Sequence, residues 1–406
     1  MKIVQINCVY KKGSTGKIVF DLHSSLKEKN KESVVCYGRG EKVNEPDVYK
    51  TCGEVYSKCN NFISRITGVL YSGCFFSTNK LISVIKKEKP DIVHLHCING
   101  YFVNIYRLLN WLKVNHIRTV LTLHAEFMYT GGCGHSLDCD QWSIDTGCGH
   151  SQKCPRLRSD IKSIFFDRTH TMWSKMKEAF DGFKNLTVVS VSPWLMDRAK
   201  RSPILAGKNH TVVMNGLDTD IFKPYDTKTL RAELGLDNKK VVFHASPNFN
   251  NDPNHIKGGH YVLKLAEQLK DENTMFVIAG NHPENLVVPD NVILLGNISD
   301  QQKLARLYSM ADVTLLTSRK ETFSMICAES LCCGTPVVGF KAGAPEQIAI
   351  SEYSTFVEHG NVNALQQAVM DQLQQEKKDR ISQDAINKYS KSIMAQRYFD
   401  IYREMI

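Results

Sequence analysis

No apolar run in the sequence approaches the ~18 residues that a membrane-spanning helix needs, so helical threading through a bilayer is excluded. The opening residues, Met1-Lys2-Ile3-Val4-Gln5-Ile6-Asn7, read as a strand. They lack the apolar stretch and small-residue cleavage site of a secretory leader, and the expectation is a cytosolic protein. Long Lys/Arg blocks and nucleic-acid-binding motifs are also missing, which removes nucleic acid from the expected partners. Low-complexity tracts and a solenoid repeat are absent. Cysteine, by contrast, is plentiful at 13 residues. Most sit in apolar segments, as Cys327, Cys332 and Cys333 do, where cysteine acts as a small hydrophobe.

What is present describes a globular protein. At 406 residues the chain exceeds what one hydrophobic core usually supports, so two domains are expected. The net charge of +9 suits anionic partners such as nucleotide diphosphates, lipid phosphates or an anionic membrane face. The first half alternates short apolar strands (2–7, 33–37, 91–95, 119–123, 187–191) with helical stretches near 16–29, 58–88, 102–115, 160–181 and 194–200. A second set has strands at 240–245, 275–279, 292–295, 313–316 and 336–339, with helices near 258–270, 301–309, 324–333 and 361–375. This alternation predicts two doubly wound parallel sheets. The turn Asn215-Gly216-Leu217-Asp218 followed by Lys223-Pro224 suits a linker.

The most informative stretch is 319–338, Arg-Lys-Glu-Thr-Phe-Ser-Met-Ile-Cys-Ala-Glu-Ser-Leu-Cys-Cys-Gly-Thr-Pro-Val-Val. Glu321 and Glu329 stand a little over two helical turns apart. With Glu321 in a loop and Glu329 near the end of the helix's second turn, both could serve one ligand, one carboxylate on a sugar ring and the other on a ribose. Acid pairs also occur on solvated helix faces. Joined to the order loop, helix, Gly334-Thr335-Pro336, strand, the pair resembles the donor-sugar site of retaining family 4 glycosyltransferases of the GT-B fold.

That resemblance implies an α/β protein of two Rossmann-like domains facing across a cleft. Residues 1–215 would form the acceptor side and 216–386 the nucleotide-sugar side, with a C-terminal helix, 387–406, crossing back to the first. Breaking the bond between an anomeric carbon and a diphosphate puts negative charge on the leaving phosphate, which preorganised donors stabilise. Three groups offer donors. Lys257-Gly258-Gly259 opens a helical stretch, and the family has a Lys-Gly step here with the lysine on the diphosphate. The arginine that usually precedes it is missing from 246–253, where asparagine amides at Asn248, Asn250 and Asn251 or another donor would substitute. The loop Lys11-Lys12-Gly13-Ser14-Thr15-Gly16-Lys17 lacks the spacing of an NTPase P-loop. By resemblance Gly16 would present its amide to the distal phosphate; the alternative is an ordinary strand–helix turn. Thr322, Phe323 and Ser324 occupy positions whose amides reach donor sugar and phosphate in the family, which often has glycine where Ser324 stands.

His124 follows the strand 119–123, where family members often carry His-Asp with the histidine on the donor sugar. Here Ala125 and Glu126 follow instead, and a structural histidine is the alternative. His94 and His96 read as sheet-edge residues. Within the insertion 131–155, Gly132-Cys133-Gly134-His135-Ser136-Leu137-Asp138-Cys139 is repeated as Gly147-Cys148-Gly149-His150-Ser151-Gln152-Lys153-Cys154. Cys133, Cys139, Cys148 and Cys154 are candidate ligands of a structural zinc, with disulfides or packed free thiols as competing readings. Residues 56–89 mix Phe62, Ile63, Phe75 and Phe76 with Lys58, Arg65 and Lys80. They fit peripheral contact with the inner membrane face or, alternatively, ordinary amphipathic helices.

The reading is a bacterial hexosyltransferase moving sugar from a nucleotide-diphosphate donor such as a UDP-sugar. The acceptor would be a glycan, polyprenyl-diphosphate-linked, in surface polysaccharide (capsule or lipopolysaccharide) synthesis. Glu321, Lys257 and His124 would carry the chemistry, with Gly16, Gly258, Thr322, Phe323, Ser324 and Glu329 holding the donor. No Asp-x-Asp pair accompanies Glu321 and Glu329, so no catalytic metal or other cofactor is expected. The rivals are a sugar-nucleotide epimerase of the same fold and a non-catalytic glycan- or nucleotide-binding protein.

Overall fold

The strands are almost wholly apolar because helices cover both faces of each sheet, leaving no solvent side to reward alternation. In the computed structural model, which describes residues 1–375 and 379–406, the chain divides into two units. One is Met1–Met214 with Met394–Ile406, the other Asn215–Ile393.

The first unit holds strands β1 (Lys2–Asn7), β2 (Glu32–Tyr37), β3 (Val48–Lys50), β4 (Ile92–Leu95), β5 (Thr119–Leu123), β6 (Leu186–Ser190) and β7 (Asn209–Val212). They pair in parallel in the order β3-β2-β1-β4-β5-β6-β7. Between them run α1 (Gly13–Glu28), α2 (Glu54–Thr67), α3 (Phe75–Glu88), α4 (Ile105–Val114), α5 (Thr169–Phe180) and α6 (Pro193–Arg201). The expected helical stretch 58–88 is two helices, because Gly68 ends α2 at φ 72° and Cys74 caps α3 at φ 61°. Most of the expected helix 160–181 narrows to α5.

The second unit holds α7 (Lys228–Glu233), β8 (Lys240–Asn248), α8 (Gly259–Gln268), β9 (Thr274–Asn281), β10 (Val292–Leu294), α9 (Gln301–Met310), β11 (Val313–Leu316), α10 (Met325–Cys332), β12 (Val337–Phe340), α11 (Pro345–Ile348), β13 (Ser354–Val357), α12 (Val362–Gln374) and α13 (Ile381–Tyr389). Its parallel order is β10-β9-β8-β11-β12-β13. The strand order reverses between β1 and β4 in one sheet and between β8 and β11 in the other. Open α/β sheets bind ligands beyond the carboxyl ends of the strands at such points.

The last helix, α14 (Lys391–Met405), belongs mainly to the first unit. Its Met394, Ala395, Tyr398 and Tyr402 pack in one core with Ile3, Ile18, Ile92 and Val120. A continuous helix over 387–406 does not form. Ser390 is extended, and Leu217 brackets it by donating its N–H to the Tyr389 carbonyl (2.7 Å) and accepting from the Lys391 N–H (2.8 Å). Residues 387–389 therefore end α13, in the second unit.

Candidate functional site

In the second unit the switch point is built by the loops after β8 and β11. Gly258 caps α8 at φ 64°, and a Cβ there would strike the Thr317 carbonyl; one at Gly259 would strike the carbonyl of Asn250. Both glycines are thus required by close backbone approach. The Lys-Gly-Gly turn is stitched to the segment after β11: Thr317 Oγ1 donates to the Lys257 carbonyl (2.9 Å), and the Arg319 N–H donates to that of Ile256 (2.8 Å). This brings together two residues 64 positions apart in sequence, Lys257 Nζ and Glu321 Oε1, at 2.5 Å with both side chains largely covered. Glu321 is pinned in turn by its backbone, which pairs with Ala342 and Ala344.

Phe323 is buried, and Ser324 starts α10 at φ 85°, ψ 89°, with its Oγ accepting from the Cys327 N–H at 3.4 Å. A left-handed backbone explains why glycine is common there. Glu329 opens the second turn of α10 rather than closing it, and Tyr308 Oη donates to its Oε2 at 3.0 Å. Three residues that sequence reasoning passed over hold this site. Thr317 supports Lys257, Tyr308 supports Glu329, and Glu346 accepts from the amides of Ala342 and Gly343 beside Glu321. Arg319 was visible in the motif but unassigned; its backbone bond to Ile256 puts a second cationic residue beside the lysine's turn.

In the first unit the structure corrects the role of Gly16. Helix α1 begins at Gly13, so Gly16 is its fourth residue and its N–H has an acceptor one turn back. The open amides belong to Gly13, Ser14 and Thr15. Gly16 instead packs α1 onto the preceding loop, accepting from the Lys11 N–H at 3.0 Å.

His124 lies beyond β5 in a row of three imidazoles. His96 Nδ1 is 3.3 Å from His124 Nε2, and the rings of His94 and His96 are 3.8 Å apart. His94 is no edge residue: it sits inside the central strand β4, with Nδ1 on Tyr402 Oη (2.6 Å) and Nε2 on Thr122 Oγ1 (2.7 Å). Burial pushes all three down, His124 to about 4. They are therefore neutral near pH 7 and able to donate or accept without carrying charge.

Glu126 does not replace the aspartate of the family's His-Asp step. It is wholly buried, pairs with Arg198 Nε (2.5 Å), and accepts from the Ser136 N–H (2.6 Å) and Tyr129 Oη (3.0 Å). Its chemistry is spent on anchoring the insertion 131–155. Within that insertion all four cysteines are free thiols. Cys148 Sγ accepts from the Gly131 N–H at 3.2 Å. Among the described residues no group of three or more His, Cys, Asp or Glu is placed to hold a metal ion. The four thiols nonetheless share one neighbourhood, Cys133 acting electrostatically with Cys154 and Cys148, and Cys139 with Cys154 and Cys148.

Residues 226–391, which include the Lys257–Glu321 pair and Glu329, match the family described as glycosyl transferases group 1. The second unit carries a glycosyl transferases group 1 domain. Over longer spans the chain is 22% identical to N-acetyl-alpha-D-glucosaminyl L-malate synthase of Bacillus anthracis, covering 81% of this chain and 78% of that one. It is 23% identical to the putative colanic acid biosynthesis glycosyl transferase WcaC of Escherichia coli K12, covering 86% and 85%. The solved structure of Anabaena HepE in complex with UDP superposes at a TM-score of 0.65, covering 100% of each chain at 15% identity. That likeness establishes the GT-B fold of two parallel-sheet α/β units. The group 1 domain holds every donor-site residue expected from sequence except Gly16 and His124, which lie in the first unit.

Proposed function

We propose that the protein is a retaining glycosyltransferase that takes a hexose-type sugar from a nucleotide-diphosphate donor and passes it to a glycan acceptor in surface polysaccharide synthesis. The Lys257–Glu321 pair at the switch point of the group 1 domain carries the reading. Lys257 and the amides at the start of α8 offer a cationic cradle for a diphosphate. In this reading Glu321, whose backbone pairs with Ala342 and Ala344, takes sugar hydroxyls, and Glu329, which accepts from Tyr308, takes a ribose. Further support comes from the relatives: HepE binds UDP-glucose in another solved complex, and WcaC is named for colanic acid biosynthesis.

In this reading the bond between the anomeric carbon and the phosphate oxygen breaks, and the acceptor oxygen bonds to the same face of that carbon. The acceptor's proton passes to the leaving phosphate. Lys257 opposes the charge growing on that phosphate, which strengthens the interaction in the transition state. Glu321 is committed to a hydrogen-bonding role, so no covalent sugar–enzyme adduct is invoked.

The test is a panel of nucleotide sugars scored first by thermal stabilisation and then by transfer. A UDP-sugar that raises the melting temperature and is consumed only with a glycan acceptor, retaining anomeric configuration, supports the reading. Epimerised sugar formed without acceptor assigns the chain to the epimerase class instead, and inverted product removes the retaining mechanism.

A further inference from the structure

Helix α2 is turned inside out. The face it buries is polar and small: Ser57, Asn60 and Ser64. Ser57 Oγ donates to the Gly100 carbonyl (3.0 Å), and Asn60 Oδ1 accepts from the Cys74 N–H (2.8 Å), so the inward face is fastened by hydrogen bonds rather than by a hydrophobic stripe. Val55, Cys59 and Phe62 repeat at four and three residues, the spacing of one helical stripe, and all three face outward, with half-buried Ile66 continuing the stripe. Val55 is 75% exposed and Phe62 60%. A helix of a globular protein ordinarily does the reverse.

The neighbouring elements extend the same surface. Phe75 and Phe76 open α3 with both rings exposed, and the Phe76 ring lies 6.0 Å from that of Tyr56 on α2. The loop carrying exposed Phe165 and Phe166 is tied to the end of α2 by the Ile164 N–H on the Arg65 carbonyl (2.8 Å). Most of the exposed large apolar side chains among the described residues gather here. Single exposed apolar residues need no explanation, but a continuous patch does.

Charge selects the occupant. Helical geometry puts Lys58 and Arg65 along one flank of the apolar stripe. The adjoining loop, 156–168, carries Arg156, Arg158, Lys162 and Arg168 against Asp160 and Asp167. Of those acids, Asp160 is paired with Arg156, and Asp167 is taken up by the Cys154 and Thr169 amides. A two-fold contact with a second copy would set these cations against their equivalents. An apolar stripe with a basic flank and aromatic tips instead matches an anionic bilayer surface, where rings enter the acyl boundary and cations stay at the phosphates. We propose that α2, the start of α3 and the 163–166 loop form a docking face for an anionic membrane surface. The inference concerns this surface and does not rest on the proposed reaction.

The experiment is flotation of the full chain with vesicles of phosphatidylcholine alone or mixed with phosphatidylglycerol, at low and high salt. Flotation is expected with the anionic vesicles only and should weaken with salt. Phe62→Ser with Phe76→Ser should lower partitioning by about 10-fold or more, since two aromatic rings leave the interface. Val287→Ser, removing an exposed apolar residue of the second unit, should change nothing. Circular dichroism and melting temperature report whether the variants fold. If they do not, Phe76→Trp provides an independent readout, a blue shift in emission on adding anionic vesicles. No flotation with anionic vesicles, equal binding by the double variant, or no tryptophan shift would overturn the proposal. So would a dimer, seen by light scattering, that Phe62→Ser dissociates, because the face would then belong to a second copy.

Discussion

Lys257 Nζ and Glu321 Oε1 are 2.5 Å apart in the group 1 domain, each neutralising the other. The pair compensates two largely covered charges. In the proposed reaction the lysine turns to the diphosphate and the glutamate to the sugar, so both partners are already positioned when charge develops.

Lys257→Ala should therefore lower kcat by about 100-fold or more, with a smaller effect on donor affinity, because the phosphate's charge grows as the bond breaks. Glu329→Ala should do the opposite, raising the donor KM while sparing kcat, because a ribose contact is the same before and during reaction. Steady-state kinetics on both variants check the split. A lysine variant with near-normal turnover would remove Lys257 from the mechanism.

The loop–helix segment with Glu321, Ser324 and Glu329 and the Lys257-Gly258 turn were legible in the sequence because their signals are local, although their donor role belongs to the proposal. The strands were legible because burial on both faces makes them continuous apolar runs. The rest depended on distant partners. Nothing near His94 announces Tyr402, which lies 308 positions away, and nothing near Glu126 announces Arg198. Gly16 was misplaced because the start of α1 shifted by three residues, enough to move its amide inside the helix. The reversal of α2 could not be seen, because periodicity finds an apolar stripe without saying which way it faces.

Ser324 offers a test of opposite signs at one position. Its φ of 85° is costly for a residue with a Cβ, on the order of 1–3 kcal/mol. Glycine relieves that strain and loses only a few tenths of a kcal/mol as a cap, whereas alanine keeps the strain and loses the cap. Ser324→Gly should stabilise the second unit by about 1 kcal/mol, and Ser324→Ala should destabilise it by a similar amount. Urea midpoints for the two variants decide it; a shift in the same direction for both would show that the backbone here is not strained.

The Glu126–Arg198 pair should govern the order of the insertion. Arg198 also donates to Ser136 Oγ (2.5 Å) and lies over the Trp142 ring, so one guanidinium ties the insertion to α6. Arg198→Met leaves a wholly buried carboxylate without its cation, which costs about 3–5 kcal/mol when such pairs are broken from one side. Limited proteolysis should then cut within 131–155, while nucleotide affinity in the second unit stays unchanged. A protease-resistant insertion in the variant would assign the anchoring to other contacts.

Stability should fall as pH drops from about 6.5 towards 4, and the histidines supply the reason. Burial pushes His244 and His23 down to about 4, and His94 and His96 also lie well below their ordinary 6.5. The folded state holds these imidazoles neutral, while the unfolded chain protonates them once pH falls below 6.5. Over that window the unfolded state binds more protons, so acid favours unfolding. The stability is complete above pH 6.5, declines through the interval, and stops falling on this account below the folded values. Each such histidine contributes up to ~1.4 kcal/mol per pH unit within the window. The carboxylates held low by cations, Glu45 by Lys11 and Glu88 by Lys2, act only below their ordinary 4.5, so the range from pH 6.5 to 5 isolates the histidines. Urea unfolding at pH 7.5, 6 and 5 should show the decline, and His244→Asn should make the profile of the second unit shallower. A stability that is flat from pH 7.5 to 5 would mean that these rings take up protons without unfolding the chain.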